Sequence, residues 1–246
     1  MVNTPLRPSG RQPDQMRVVK MEIGVNKYAE GSCFIQLGNT HLLCTASVDN
    51  QLPGFLRNTG KGWVTGEYGM LPRATATRSE REASRGKLTG RTQEIQRLIG
   101  RSLRAVTNLV ALGERQIFID CDVIQADGGT RTAAITGGYV ALHQALARLV
   151  KTGVIKQFPL QDYVAAISCG IYRNTPILDL EYIEDSNAEV DSNFVFTGKG
   201  DIIEIQSTAE KNSFTPQQLI QMLDLAQKAT RSLVEQQKQL LATLTA

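Results

Sequence analysis

Residues 117–138 read Ile-Phe-Ile-Asp-Cys-Asp-Val-Ile-Gln-Ala-Asp-Gly-Gly-Thr-Arg-Thr-Ala-Ala-Ile-Thr-Gly-Gly, and no other stretch limits the fold so narrowly. The first half is apolar and rich in β-branched residues, with Asp120 and Asp122 at alternate positions, which predicts a largely buried strand. Gly128 and Gly129 then allow a tight turn in conformations closed to residues with a Cβ. Beyond them Ile135, Tyr139, Leu142, Leu146 and Leu149 recur at helical spacing. Strand, glycine turn and helix start together gather backbone N–H groups around one point, with the helix dipole behind them. Such a point attracts an anion, and Thr130 and Arg131 add a hydroxyl and a cation. The same residues also fit an ordinary strand-to-helix turn with Thr130 as N-cap and Arg131 in solvent. Neither Gly-x-x-x-x-Gly-Lys-Ser/Thr nor Gly-x-Gly-x-x-Gly is present to decide between them.

The rest of the chain narrows the choice. With 246 residues, 41% of them hydrophobic, it can bury a sizeable core as one large domain or two small ones. No apolar run approaches the ~20 residues that span a membrane, and the N-terminal stretch lacks the apolar centre of a secretory signal. Cys33, Cys44, Cys121 and Cys169 form no Cys-x-x-Cys pair, so buried free thiols and a cytoplasmic protein are expected. Net charge is +3, unevenly spread. Between Arg73 and Arg104 nine basic residues face only Glu80, Glu82 and Glu94, a local balance of +6, so the remainder carries −3. That asymmetry suits a surface that meets a polyanion, and equally a solvated helix face with subunit contacts.

In chain order, residues 1–16 read as an irregular arm, followed by strands over 18–23, 29–37 and 41–48, the last two joined at Gly38-Asn39. Residues 50–70 hold so many glycines that a long loop is expected. In it Trp63 and Tyr68 are expected to anchor to the core, whereas Phe55 beside Arg57 could stack on an unpaired base. A short helical pattern covers 79–86 and a stronger one 92–112, with Ile95, Leu98, Ile99, Leu103, Val106, Leu109 and Val110 on its apolar face. Arg91 stands at that helix entrance, where a cation opposes the dipole and so suggests an anion nearby. Strands over 164–171 and 177–183, then 194–197 and 202–206, form two further hairpins. A last helix over 215–240 has Thr215 as cap, Pro216 at N1, Gln218 at N3 and Phe214 stapled to Leu219. This order reads as one α+β domain, helices packed on mostly antiparallel sheet.

Asp185 and Asp191 lie six apart around what reads as an acidic turn, with Glu184 and Glu189 as competitors. If 177–183 is a strand running into it, Glu184 points away from Asp185. Oxygen ligands in ones or twos are what Mg²⁺ or Mn²⁺ accepts, water and phosphate oxygens completing the shell. Alone, such a cluster is a solvated turn; beside an anion pocket it suits a cation.

Longer motifs then carry a resemblance. Gly-Arg-Thr-x-Glu-Ile-Gln-Arg-Leu-Ile (90–99), Arg-Ser-Leu-Arg-Ala (101–105), the run over 120–133, Gly-Trp-Val-Thr-Gly-Glu-Tyr-Gly-Met-Leu-Pro-Arg (62–73) and Asp-Leu-Glu-Tyr-x-Glu-Asp (179–185) closely resemble the ribonuclease PH family, in order, from Arg7 to the last helix. The resemblance implies a phosphate-dependent 3′→5′ exoribonuclease that trims the 3′ end of tRNA precursors and other RNA 3′ ends, releasing nucleoside diphosphates reversibly. It implies phosphate held by Arg91, Gly129, Thr130 and Arg131, and a divalent metal, Mg²⁺ or Mn²⁺, with catalysis, at Asp185 and Asp191. It also implies the α+β fold of βαβα type shared with a ribosomal-protein domain, and a homohexamer built as a trimer of dimers. Arg73, Arg78 and Arg81 would build that ring and hold tRNA. Gly66 departs from the family, which commonly has alanine before Glu-Tyr-Gly. The competing readings are a non-catalytic RNA-binding ring subunit and a hydrolytic nuclease. The retained Arg91, Arg131, Asp185 and Asp191 argue against the first, and the whole phosphate pocket against the second.

Overall fold

The computed structural model describes residues 7–242; the first six residues of the expected arm lie outside them. One sheet is ordered β1 (Val19–Ile23), β2 (Gly31–Leu37), β3 (Thr40–Asp49), β5 (Gln116–Gln125) and β4 (Trp63–Met70), antiparallel except for the parallel β4–β5 pair. The other is ordered β7 (Thr175–Leu178), β6 (Val164–Tyr172), β8 (Val190–Thr197) and β9 (Ile202–Ala209), antiparallel throughout. Between them runs α3 (Thr130–Lys151), packed on β2, β3 and β5 on one side and on β6 on the other. A helix covered from several sides must be apolar around its circumference, and α3 buries Ile135, Tyr139, Leu142, Leu146 and Leu149 as their spacing predicts. The α+β expectation holds.

Three elements differ from expectation. Residues 63–70, expected within a loop, are strand β4: Val64, Gly66 and Tyr68 face inward, and the glycine among them hides the alternation. A Cβ on Gly66 would stand 2.7 Å from Ile99 Cγ2 and 3.1 Å from the Gln96 carbonyl, so glycine lets the neighbouring helix lie directly on the strand. That helix, α1 (Gly90–Ala105), stops short of the expected 112. Thr107 bridges to Leu160, and the Asn108 side chain accepts from the N–H groups of Val110 and Ala111, starting the separate turn α2 (Leu109–Leu112). Val110, expected to be buried, is 63% exposed. The strand expected over 177–183 ends at Leu178, and residues beyond it form the helical turn α4 (Tyr182–Asp185), closed by a reciprocal Glu181–Glu184 capping box.

The last helix, α5 (Pro216–Ala242), starts as expected: Gln218 N donates to Thr215 Oγ1 and Thr215 N to Gln218 Oε1. It packs on β6, β7 and β8. It runs to Ala242 through a Gln/Lys-rich end, where Gln237 is fully buried and donates to the carbonyls of Thr136 and Val164. All four cysteines are buried free thiols. Among the described residues no helix is long and apolar enough to cross a membrane.

Candidate active site

Where β5 meets α3, a cleft of about 770 Å³ opens between the two sheets. Arg91, Gly129, Thr130, Arg131, Asp185 and Asp191 all line it, although they come from α1, the β5–α3 turn and the start of α3, α4 and β8.

The turn is built on two left-handed glycines, Gly128 at φ +75° and Gly129 at φ +69°. Glycine is required twice over at 128, since a Cβ would lie 2.4 Å from the Leu180 carbonyl oxygen. The turn therefore rests directly on the segment leading to α4. Gly129 is the N-cap of α3 and offers no side chain to the helix. Thr130, read in the simpler alternative as that cap, is instead the first helical residue. Its buried Oγ1 lies 2.8 Å from Tyr68 Oη, so β4 fixes its rotamer. The first N–H groups of α3 have no partner within the helix and stay available to an anion.

Arg131 reaches across the cleft, with Nη1 3.3 Å from Glu94 on α1 and 3.1 Å from Gln206 on β9. Arg91 is the second residue of α1, whose N-cap Thr89 accepts from Thr92 N, and it is exposed at the cleft wall.

Asp191 does not sit in a turn, as its sequence neighbourhood suggests, but on β8, paired with Gly170 of β6. Burial, and then the charge of Asp185, push its carboxyl up to about 6, against the pull of Arg131 and Arg91. Asp185 is raised too, by burial, against the same two arginines. Glu184 does point away from Asp185, but because successive residues of a helical turn diverge, not because a strand alternates. It is fully buried and meets Arg7, at 2.7 Å from both Nε and Nη2. Two half-buried carboxylates, one raised by the charge of the other, suit a hard divalent cation, with water and substrate oxygens completing its shell. Among the described residues no cluster of three or more His, Cys, Asp or Glu side chains forms a cage that could do this alone.

The other expected residues lie outside the cleft lining. Phe55 is 70% exposed and stands edge-on to Trp63 at 5.5 Å, with Arg57 exposed beside it. Arg73, Arg78 and Arg81 are exposed, and Thr75, Ala76 and Thr77 between the first two line the cleft rim. What sequence reasoning missed is the ionic layer under the site. Arg7 and Arg11 of the arm, with Arg17 just after it, converge on Asp179 and Glu184, and Arg7, Asp179 and Glu184 are fully buried. Three arginines among otherwise polar, proline-broken residues were the available signal.

Comparison with known proteins agrees with the motifs. The description "3′ exoribonuclease family, domain 1" matches residues 15–148 and "3′ exoribonuclease family, domain 2" residues 162–229. Ribonuclease PH of Methylobacterium radiotolerans is 60% identical over 237 residues, 96% of this chain and 100% of that one. Ribonuclease PH of Caulobacter vibrioides is 61% identical, covering 95% and 98%. A chain of the Archaeoglobus fulgidus exosome with RNA bound to the active site shares the fold at a TM-score of 0.77 and 19% identity, over 94% of this chain and 92% of that one.

Proposed function

Because the chain belongs to the 3′ exoribonuclease family of ribonuclease PH, we propose that its cleft removes nucleotides from RNA 3′ ends with inorganic phosphate as the attacking group. It is a phosphorolytic 3′→5′ exoribonuclease and nucleotidyltransferase. The observation that carries the reading is one cleft lined by a glycine turn at a helix start, two arginines from different helices and a carboxylate pair.

Phosphate and a phosphodiester are both anions, so repulsion has to be offset before they meet. The N–H groups at Gly129 and Thr130, with Arg131 and Arg91, hold the phosphate and turn an encounter into an oriented attack. One phosphate oxygen then bonds to the terminal phosphorus while the bond to the 3′ oxygen of the preceding nucleotide breaks. A nucleoside diphosphate leaves, and the RNA keeps its 3′ hydroxyl. The reverse reaction extends an RNA from diphosphates. Asp185 and Asp191 hold Mg²⁺ or Mn²⁺, which supplies charge neutralisation at the reacting diester. No protein nucleophile is required.

Phe55 and Arg57 fit contact with the RNA beyond the cleft, and Arg73, Arg78 and Arg81 fit assembly into a homohexamer that presents a basic face to tRNA precursors. A cytoplasmic setting suits four reduced thiols. Incubating an RNA bearing a single-stranded 3′ extension with and without phosphate tests the function. Shortening is expected only with phosphate; an equal rate without it would overturn the reading.

A further inference from the structure

For backbone N–H groups to hold an anion, the carbonyl oxygens of the same turn have to face away from it. A turn with two adjacent glycines does not ensure this, because its peptide planes flip easily and a carbonyl swung into the cleft repels the anion. The structure holds those carbonyls from below. Thr40 Oγ1, fully buried at the start of β3, donates to the Gly128 carbonyl at 2.7 Å and accepts from Asp127 N at 2.9 Å. The guanidinium of Arg17, 8% exposed, donates to the carbonyls of Asp127, Gly128 and Leu180. Its other face is clamped by Asp179, at 2.9 Å from Nε and 2.7 Å from Nη2. Arg17 can lie there because Gly38 has no Cβ, which would stand 2.6 Å from Arg17 Cδ. One side chain thus ties the glycine turn to residue 180, at the entrance to the segment that carries Asp185.

We propose that Arg17 and Thr40 are positioning residues for phosphate: by holding the carbonyls of Asp127 and Gly128 they keep the N–H face of the turn aimed into the cleft. This rests on the reading of Gly129, Thr130 and Arg131 as the phosphate site. Neither residue is among those that line the cleft, so both act from behind the turn. Their effect is confined to how well the turn is preorganised.

The test is the phosphate dependence of RNA shortening by wild type, Thr40→Val and Arg17→Lys, with melting temperature measured alongside. Valine keeps the shape of threonine and removes both hydrogen bonds. Lysine keeps the charge for Asp179 but cannot reach three carbonyls as a planar fork does. The phosphate KM is expected to rise roughly threefold to tenfold in Thr40→Val and about tenfold or more in Arg17→Lys, with kcat and the KM for RNA near wild type. A merely structural role would lower the melting temperature and the active fraction while leaving the phosphate KM unchanged, and that result would overturn the proposal. If Arg17→Lys fails to fold, Thr40→Val decides alone. Wild-type shortening without phosphate would instead remove the phosphate reading on which the proposal stands. Wild-type saturation with phosphate and an unchanged KM in the variants would remove the brace only.

Discussion

Asp191 is held on a strand, largely out of water and beside another carboxylate, and its carboxyl sits at about 6 instead of near 3.8. The folded state therefore binds this proton more tightly than the unfolded state. Its contribution to stability is full below the unfolded value and is lost as pH rises through about 6. Ionised at pH 8 without metal, Asp191 costs on the order of 2 kcal/mol. Asp191→Asn should then melt roughly 5 °C higher than wild type at pH 8 in metal-free buffer, the gap shrinking as pH falls through 6, while RNA shortening is lost. A variant no more stable than wild type at pH 8 would contradict the electrostatics. Arg131 poses the complementary case, a cation shared by Glu94 and Gln206 at the cleft. Arg131→Ala should raise the phosphate requirement about tenfold to a hundredfold with RNA affinity little changed, as titration of phosphate would show. Both residues were legible as candidates because their motifs are local. Arg7, Arg17 and Asp179 were not, because their meaning lies in contacts more than 160 residues apart in the chain.

Elements were read correctly where periodicity or capping is explicit. The apolar spacing of α3 and the Thr215–Gln218 box of α5 are examples. They were misread where tertiary contact replaces a side chain. β4 escaped because Gly66 occupies an inward position that would ordinarily be apolar, and the helix above it fills the space. The long helix expected over 92–112 failed because a single Asn108 competes for the backbone and restarts it. The strand expected over 177–183 failed because Glu181 and Glu184 close the helical turn α4, and Glu184 is fixed by a distant arginine. Gly66→Ala tests the first explanation. The added methyl would meet Ile99 Cβ at 2.8 Å, so α1 has to move, at a cost of about 1–3 kcal/mol. A lower melting temperature is expected, and an unchanged one would mean that α1 shifts freely to admit the methyl group.

At the scale of the whole molecule, α3 joins two sheets that both border the cleft: the start of α3 and α1 bring Gly129, Thr130, Arg131 and Arg91 to it, and α4 and β8 bring Asp185 and Asp191. The fold was legible as α+β, but the meeting of its halves was not, since nothing in the spacing of residues 131 and 191 declares it. Outside the cleft, Arg73, Arg78 and Arg81 are exposed on one short segment, too many for one small pocket, and arginine is favoured at interfaces. Alanine at all three positions should leave dimers in analytical ultracentrifugation with tRNA processing weakened; a variant that still sediments as a hexamer would confine these residues to RNA contact. The central claim is that phosphate, bound at Gly129, Thr130 and Arg131, is the attacking group. Chromatography of the nucleotides released from a 3′-extended RNA by the wild-type protein tests it most directly. Nucleoside 5′-diphosphates are the predicted product, with added diphosphates extending the RNA in the reverse direction. Nucleoside monophosphates released at full rate in phosphate-free buffer would make water the nucleophile and contradict the account.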